Sequence, residues 1–435
     1  MKLRDVAGML LLSMPASAFS ETLAQLVDQA WRQNPEVSVA QAQLRQAEAR
    51  WMEARAGQGP SLDLTFRVGA DSARFSPPGD YLNLGTRGGS VRLTQPLFAG
   101  GGIQADIERF RASRDGAYQR LREVKRDIAS RLGEAAYRVT AAQELQQVAQ
   151  QSAERHRATV EAMEIIVSQD PGRRFELAQA QSRWTTAQAN LAFRKAQTET
   201  ARAMLKRLLG REVEAVRLPA DLTPPAESEA SAQVREVSPA LAAASQDIEA
   251  TKAALKVVRS AYLPRLALEL DATSNHNVGG FERDFRSQSI SLVGSWNLFR
   301  SGADWAREKG VRAQIEGAEG LLENARLELD YKLGSGYADW RAQQFALAQF
   351  KQQVQHAETS YQAALDQFRI GRASLLDVLN LQSEAFQARS SVSSSYWSAQ
   401  LSAYELVLLT TPDLENVFET WGLQPTTAQS EEKSP

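Results

Sequence analysis

Cysteine is absent from all 435 residues, so disulfides, thiolate nucleophiles and thiolate metal ligands are excluded. A lipid anchor on an N-terminal cysteine is not expected either. Histidine is scarce: His156, His276 and His356 lie far apart with no HExxH spacing, so no metal is predicted. They read as solvated or lumen-facing side chains. Neither charge sign is in excess, and a net charge of -2 gives no basic field to recruit nucleic acid. Nowhere does the chain approach the ~20 uninterrupted apolar residues of a membrane helix. A phosphate loop is missing too: no lysine-serine pair follows Gly100-Gly101-Gly102, and a strand pattern follows Gly88-Gly89. Carboxylates sit among arginines on helix faces, where solvated pairing is the default. No catalytic cluster and no cofactor follow from these residues, and an enzyme is not expected.

The N-terminal residues carry a different kind of signal. Lys2 and Arg4 precede a short apolar run over 6–14, and Ala16-Ser17-Ala18 offers small residues at a cleavage site. The expectation is a secretory signal over 1–18. An exported chain without a helical span is soluble in the periplasm, secreted, or a membrane β-barrel.

What is present is a duplication. Gln95-Pro96-Leu97-Phe98-Ala99-Gly100-Gly101 returns as Trp296-Asn297-Leu298-Phe299-Arg300-Ser301-Gly302, about two hundred residues later. Asn34-Pro35-Glu36 returns as Ser238-Pro239-Ala240, and Pro60-Ser61-Leu62-Asp63-Leu64 as Pro264-Arg265-Leu266-Ala267-Leu268. Each half reads as a medium helix, two alternating strands, a very long helix and another medium helix. The first half covers 19–210, with helices over 34–59, 102–168 and 174–210 and strands near 61–71 and 89–98. A proline-containing linker follows over 211–236. The second half covers 237–410, with helices over 237–262, 302–370 and 373–410 and strands near 265–275 and 286–297. An irregular segment and a polar, disordered tail over 411–435 close the chain.

Each long helix would extend ~100 Å at 1.5 Å per residue. The second carries a seven-residue step, Leu333, Trp340, Leu347, Val354, Tyr361 and Phe368, the pattern of a coiled-coil seam. The first repeats it with smaller residues: Leu132, Val139, Gln146, Ala153, Val160 and Val167. Helices alone would suit a solid rod equally well.

The strands argue against the rod. Leu62, Leu64, Phe66 and Val68 alternate with Asp63, Thr65 and Arg67, and the other three strand segments alternate likewise. Alternation at this length is the pattern of a transmembrane barrel strand, lipid outside and water inside. Phe98, Tyr262, Trp296 and Phe299 lie where strands meet helices, as membrane-interface aromatics would. Four strands cannot close a barrel around a lumen, and an open edge cannot face lipid. The chain is therefore expected to pool strands with copies of itself, and three copies would supply twelve.

On these residues the chain resembles the TolC-type outer-membrane efflux and secretion channels, along essentially its whole length beyond the signal. The most specific match is Phe368-Arg369-Ile370-Gly371-Arg372-Ala373-Ser374-Leu375-Leu376-Asp377-Val378-Leu379, similar to the family's periplasmic helix–turn–helix tip. Leu298-Phe299-Arg300-Ser301-Gly302 is a second family-like signature. The resemblance implies a mainly α fold with a membrane β-barrel contribution: a homotrimer with a twelve-stranded barrel and a long α-helical periplasmic tunnel. It implies a location in outer-membrane lipid, and partners in a periplasmic adaptor and an inner-membrane transporter of ABC type. Residues 375–389 look most like channels of type I secretion systems, which export adhesins or repeat-containing toxins. The alternatives are drug or metal efflux on the same fold, or a periplasmic structural coiled coil without a pore.

The resemblance also places residues. Asp377 falls at a position where carboxylates ring the closed entrance, and Asn380 falls where a second acidic ring is usual. Glu176, at the equivalent place in the first half, is expected to pair near Arg369 or Arg372. Phe368, Gly371, Arg372, Ser374 and Leu375 fall on one adaptor-contacting tip. Asp170, Pro171 and Gly172 form the other, which departs from the family's usual turn.

Overall fold

A computed structural model describes residues 21–74, 82–219, 221–278 and 282–421. The expected signal over 1–18, the tail over 424–435 and the loop positions 75–81 and 279–281 lie outside the described residues. In chain order the elements are β1 (Glu21–Thr22), α1 (Leu23–Gln33), α2 (Pro35–Ala56), β2 (Ser61–Ala73) and β3 (Leu82–Ala99). Next come α3 (Gly102–Gln169), a 3-10 turn (Pro171–Arg173), α4 (Arg174–Leu209), β4 (Val216–Arg217), α5 (Glu227–Val237) and α6 (Pro239–Ser260). The last are β5 (Arg265–His276), β6 (Asp284–Ser295), α7 (Ala303–Arg369), α8 (Leu375–Thr410) and α9 (Leu414–Thr420).

The duplicated order is as expected, with differences at its joints. β3 starts seven residues before the predicted 89, because the Gly-rich stretch before Val91 stays paired with β2 from Leu82 to Thr94. The 211–236 linker holds most of α5, whose Ala230 and Val234 are buried, and the segment after 410 holds α9, anchored by Leu414 and Phe418. Too short to show a clear period, both helices are fixed by tertiary burial. The medium helix predicted from 34 is preceded by a separate helix, α1. Asn34 ends it by donating its N–H to Ala30 O, and Pro35 then opens α2.

The chain divides into two compact units. One comprises Pro35–Lys125 and Gln233–Lys332. It holds a single four-stranded sheet in the order β2-β3-β5-β6, antiparallel throughout, so the hairpins of the two halves sit side by side. β2 and β6 are the outer strands. Register puts Leu62, Leu93, Leu270 and Ile290 in one row of one face, and Leu64, Val91 and Ala272 in the next. Among the described residues this face has no cover within the unit: Leu64, Phe66, Val68 and Ile290 are each 70% exposed or more. The opposite face is polar, with Arg92 paired to Asp271 at 3.2 Å. At the strand–helix junction Gly100 adopts φ +61, and a Cβ there would come within 2.6 Å of Ser260 O, which glycine alone avoids.

The other unit comprises Met1–Asn34, Arg126–Ala232 and Leu333–Pro435. Part of its core is a chain of aromatic contacts: Tyr137 meets Tyr404 at 5.6 Å and Tyr404 meets Trp421, both tilted, while Trp421 and Trp31 each meet Phe418 edge-to-face. Tyr404 Oη donates to Ala129 O at 2.7 Å, and the ring fits only because residue 133 is glycine. β1 and β4 pair in parallel, and Arg211, shortly before β4, bonds Glu21 of β1 and Gln29 of α1. The predicted seam is the packed one: Leu333, Leu347 and Tyr361 are buried on α7, and Leu132, Val139 and Val160 on α3.

Candidate functional site

Two helix–turn–helix ends of the second-described unit form the candidate gate. In the first, α3 stops at Gln169 and Asp170 caps the 3-10 turn, its Oδ1 accepting from Gly172 N at 3.1 Å. Pro171 fixes the first turn residue and α4 starts at Arg174. In the second, α7 ends in a Schellman turn: Arg372 N donates to Gln367 O at 2.8 Å and Gly371 N to Phe368 O at 3.0 Å. Gly371 takes φ +76, a left-handed conformation that favours glycine. A capping box opens α8: Ser374 Oγ accepts from Asp377 N at 3.2 Å, and Asp377 Oδ2 accepts from Ser374 Oγ at 2.7 Å and from Ser374 N at 3.3 Å.

Two apolar layers bind the four helix ends together. Val160 and Met163 of α3, Ala180 of α4 and Leu375 and Leu379 of α8 form one, edged by Phe368. Tyr361 and Ala364 of α7 with Val378 of α8 form the other. Leu375, expected among the adaptor-contacting residues, is instead a buried core residue of the tip, whereas Gly371, Arg372 and Ser374 are exposed.

Polar contacts lie around this core. Arg173 Nη2 donates to Glu176 Oε2 at 2.5 Å, and the same guanidinium stands 5.4 Å from the Phe368 ring centroid. Glu176 thus pairs within its own turn with Arg173, while Arg369 is taken by Asp366 at 3.2 Å; the expected pairing with Arg369 or Arg372 is not the one formed within the chain. A short three-residue spacing in the first helical turn wins over a longer reach. Asn380 accepts from Arg183 Nη2 at 3.1 Å, joining α8 to α4. Farther from the tip, Glu358 of α7 receives both Arg155 of α3 at 3.4 Å and Arg389 of α8 at 2.6 Å.

His156 corrects an expectation. It is not solvated: it is 4% exposed on α3, one turn before Val160, and burial with the nearby Arg183 charge holds its pKa below the ordinary 6.5. Its Nδ1 and both amide atoms of Gln382 are buried without a partner among the described residues. Arg183, Glu358 and Gln382 were not singled out from the sequence. Arg183 was legible in principle, lying three residues after buried Ala180; the others depend on which helices become neighbours.

In the sheet unit, the four aromatics expected at a membrane interface lie at the strand–helix junctions. Phe98, Tyr262 and Trp296 are 44%, 42% and 59% exposed and Phe299 is 82% exposed. Trp296 lies just beyond β6, and its Nε1 donates to Tyr262 O at 3.0 Å, orienting an amphipathic ring at the end of the apolar band. An uncovered apolar face one strand-length tall, a polar reverse face and an aromatic rim are the features of a barrel wall in lipid.

The sequence matches the family described as "Outer membrane efflux protein" over residues 26–211 and 230–409. The chain belongs to that family. It is 22% identical over 387 residues to "Outer membrane efflux protein BepC" of Brucella suis, covering 85% of this chain and 80% of that protein. It is 28% identical over 333 residues to "Protein CyaE" of Bordetella pertussis, covering 74% of this chain and 69% of that protein. In three dimensions it is similar to the outer membrane channel CmeC of Campylobacter jejuni, with a TM-score of 0.79, 14% identity and 97% of each chain covered. The fold is that of the outer-membrane channels, mainly α with a β-barrel contribution and a helical periplasmic tunnel, and the family's place is the outer membrane. Family and fold are those of channels.

Proposed function

We propose that three copies of this chain form an export duct that receives cargo from an inner-membrane transporter through a periplasmic adaptor. The observation that carries this is the four-stranded sheet, whose apolar face is uncovered and whose outer strands β2 and β6 have no strand on their outer edges among the described residues. In lipid such edges must be paired, and pairing between identical chains in a closed ring is the economical solution. Asp377, Asn380 and Glu176 are the proposed gate. Asp377 spends Oδ2 on the helix cap and keeps a second carboxylate oxygen; copies brought to one axis would favour cations. Gly371, Arg372 and Ser374, with Asp170, Pro171 and Gly172, are the proposed adaptor-contacting surface, and buried Leu375 with part-buried Phe368 packs beneath it. Conductance of the detergent-purified protein in a planar bilayer tests the duct; a coiled-coil rod passes no current.

For cargo, the reading is type I polypeptide secretion with an ABC-type transporter, supported by the resemblance of 375–389. A second reading, efflux of small molecules or metals, is favoured by the efflux named in the family and in the Brucella suis relative. A deletion strain separates them: loss of one large secreted or surface protein supports the first, and drug or metal hypersensitivity alone supports the second.

A further inference from the structure

The apolar face of the sheet does not end as it began. Its helical end, at Ala99, Arg265 and Ser295, carries Trp296, Leu298 and Phe299 beside Arg265 and Arg300. Its hairpin end is closed by charge. Register puts Val68, Arg87, His276 and Asp284 in a single row across all four strands, on the same face as Leu62, Leu64 and Phe66. Arg286 stands two residues along β6 from Asp284, in the row of Ser274 and Gly89. His276 Nδ1 lies 2.5 Å from Asp284 Oδ1, and Arg87 and Arg286 stand close enough to act on the same carboxylate. One acid therefore faces two permanent cations and a histidine, and the two adjacent rows together keep one positive charge in surplus. Arg87, Asp284 and Arg286 are exposed, although Arg residues on the outside of a barrel are costly unless an anion meets them at the interface.

Beside this row runs a groove of about 640 Å³. Its floor is made of Gly89, Ala272 and Ser274, small residues between Leu64 and Val91 on one side and Arg286 and Gln288 on the other. An apolar trough leading to guanidinium groups has the shape and charge for one amphiphile: acyl chain in the trough, phosphate at its head. The helices lie on the periplasmic side, so the charged row faces the outer leaflet.

We propose that Arg87, His276 and Arg286 form a binding site for the phosphate groups of the outer-leaflet glycolipid, its acyl chain lying over Gly89 and Ala272. This deepens the barrel reading and rests on it. Binding to the detergent-purified full chain is measured by native mass spectrometry with bis-phosphorylated lipid A, its dephosphorylated form and phosphatidylglycerol as probes. The wild type should bind bis-phosphorylated lipid A about tenfold or more tightly than does the variant Arg87→Gln/His276→Gln/Arg286→Gln. Dephosphorylated lipid A should bind the wild type no better than the variant binds the phosphorylated form. The single variant Arg286→Lys, which keeps the charge, should stay within about threefold of wild type, and added salt should weaken wild-type binding. Equal affinity of wild type and triple variant overturns the site, as does indifference to the phosphates. Phosphatidylglycerol binding as tightly as lipid A overturns the assignment to the glycolipid. Bilayer conductance of the same wild-type preparation keeps the two readings apart: current without lipid discrimination removes only the site, and absence of current removes the duct.

Discussion

Arg183 Nη2 of α4 donates to Asn380 Oδ1 of α8 at 3.1 Å, and so links the two medium helices across the tip. The contact is charge-assisted and lies just outside the Ala180 and Leu379 core. It joins the asparagine that stands where a second acidic ring is usual to a cation that the sequence did not single out. Replacing Arg183 with alanine should leave the fold intact and loosen the tip. The expected result is a higher resting conductance in planar bilayers than wild type; an unchanged closed state would remove Arg183 from the gate.

Asp377 carries two roles that mutations can separate. Ser374→Ala removes the cap but keeps the charge, and should cost about 1 kcal/mol of helix stability with cation selectivity unchanged. Asp377→Asn keeps a hydrogen-bonding side chain and removes the charge, so selectivity for cations should fall. Reversal potentials in a salt gradient measure both. If Asp377→Asn retains full selectivity, the carboxylate does not face the conduction path.

The fold was more legible than the site. Period-two alternation from Leu62 to Val68 and the seven-residue step from Leu333 to Phe368 each report burial on one face, a local property that a sequence displays directly. The positions of Phe98, Tyr262, Trp296 and Phe299 at the strand–helix junctions were legible for the same reason, since they end those patterns. Glu176 was not: its partner depends on whether a three-residue neighbour or a residue of the other turn wins, which is decided by geometry. His156 was misplaced because a polar residue on a helix of small side chains gives no sign of which face is covered. α5 and α9 were missed because each is too short for a periodic signal and exists through burial of Ala230, Val234 and Phe418.

Stability should depend on pH through His156. Its folded pKa lies below the ordinary 6.5, with burial the larger cause and Arg183 the second. Between the folded and unfolded values the unfolded chain binds more protons, so stability rises with pH in that window. The contribution is fully present above about 6.5 and is lost as pH falls through the folded value. Thermal unfolding followed from pH 7.5 down to 5 should show this acid loss, and His156→Gln should flatten it. An unaltered slope in the variant would show that another group is responsible.

Gly133 and Tyr404 are matched in shape. A methyl group at residue 133 would overlap the Tyr404 ring, which is fully buried and held by its bond to Ala129 O. Gly133→Ala should destabilise by about 1–3 kcal/mol, as overpacking does, despite alanine's better helix propensity. Tyr404→Phe in the same background should not relieve it, because the ring remains. Thermal denaturation in detergent decides: a stabilised Gly133→Ala would contradict the packing.

The central claim is that β2 of one chain pairs with β6 of another. Absence of native cysteine makes this directly measurable, because any disulfide formed comes from introduced pairs. Single cysteines placed along Ser61–Ala73 and Asp284–Ser295 in the same chain, oxidised in outer-membrane preparations, should link three chains into a ring for pairs in register and none for pairs out of register. Formation of linked trimers at a defined register is the predicted result. Chains that remain single at every pair, or that link without regard to register, would contradict the barrel.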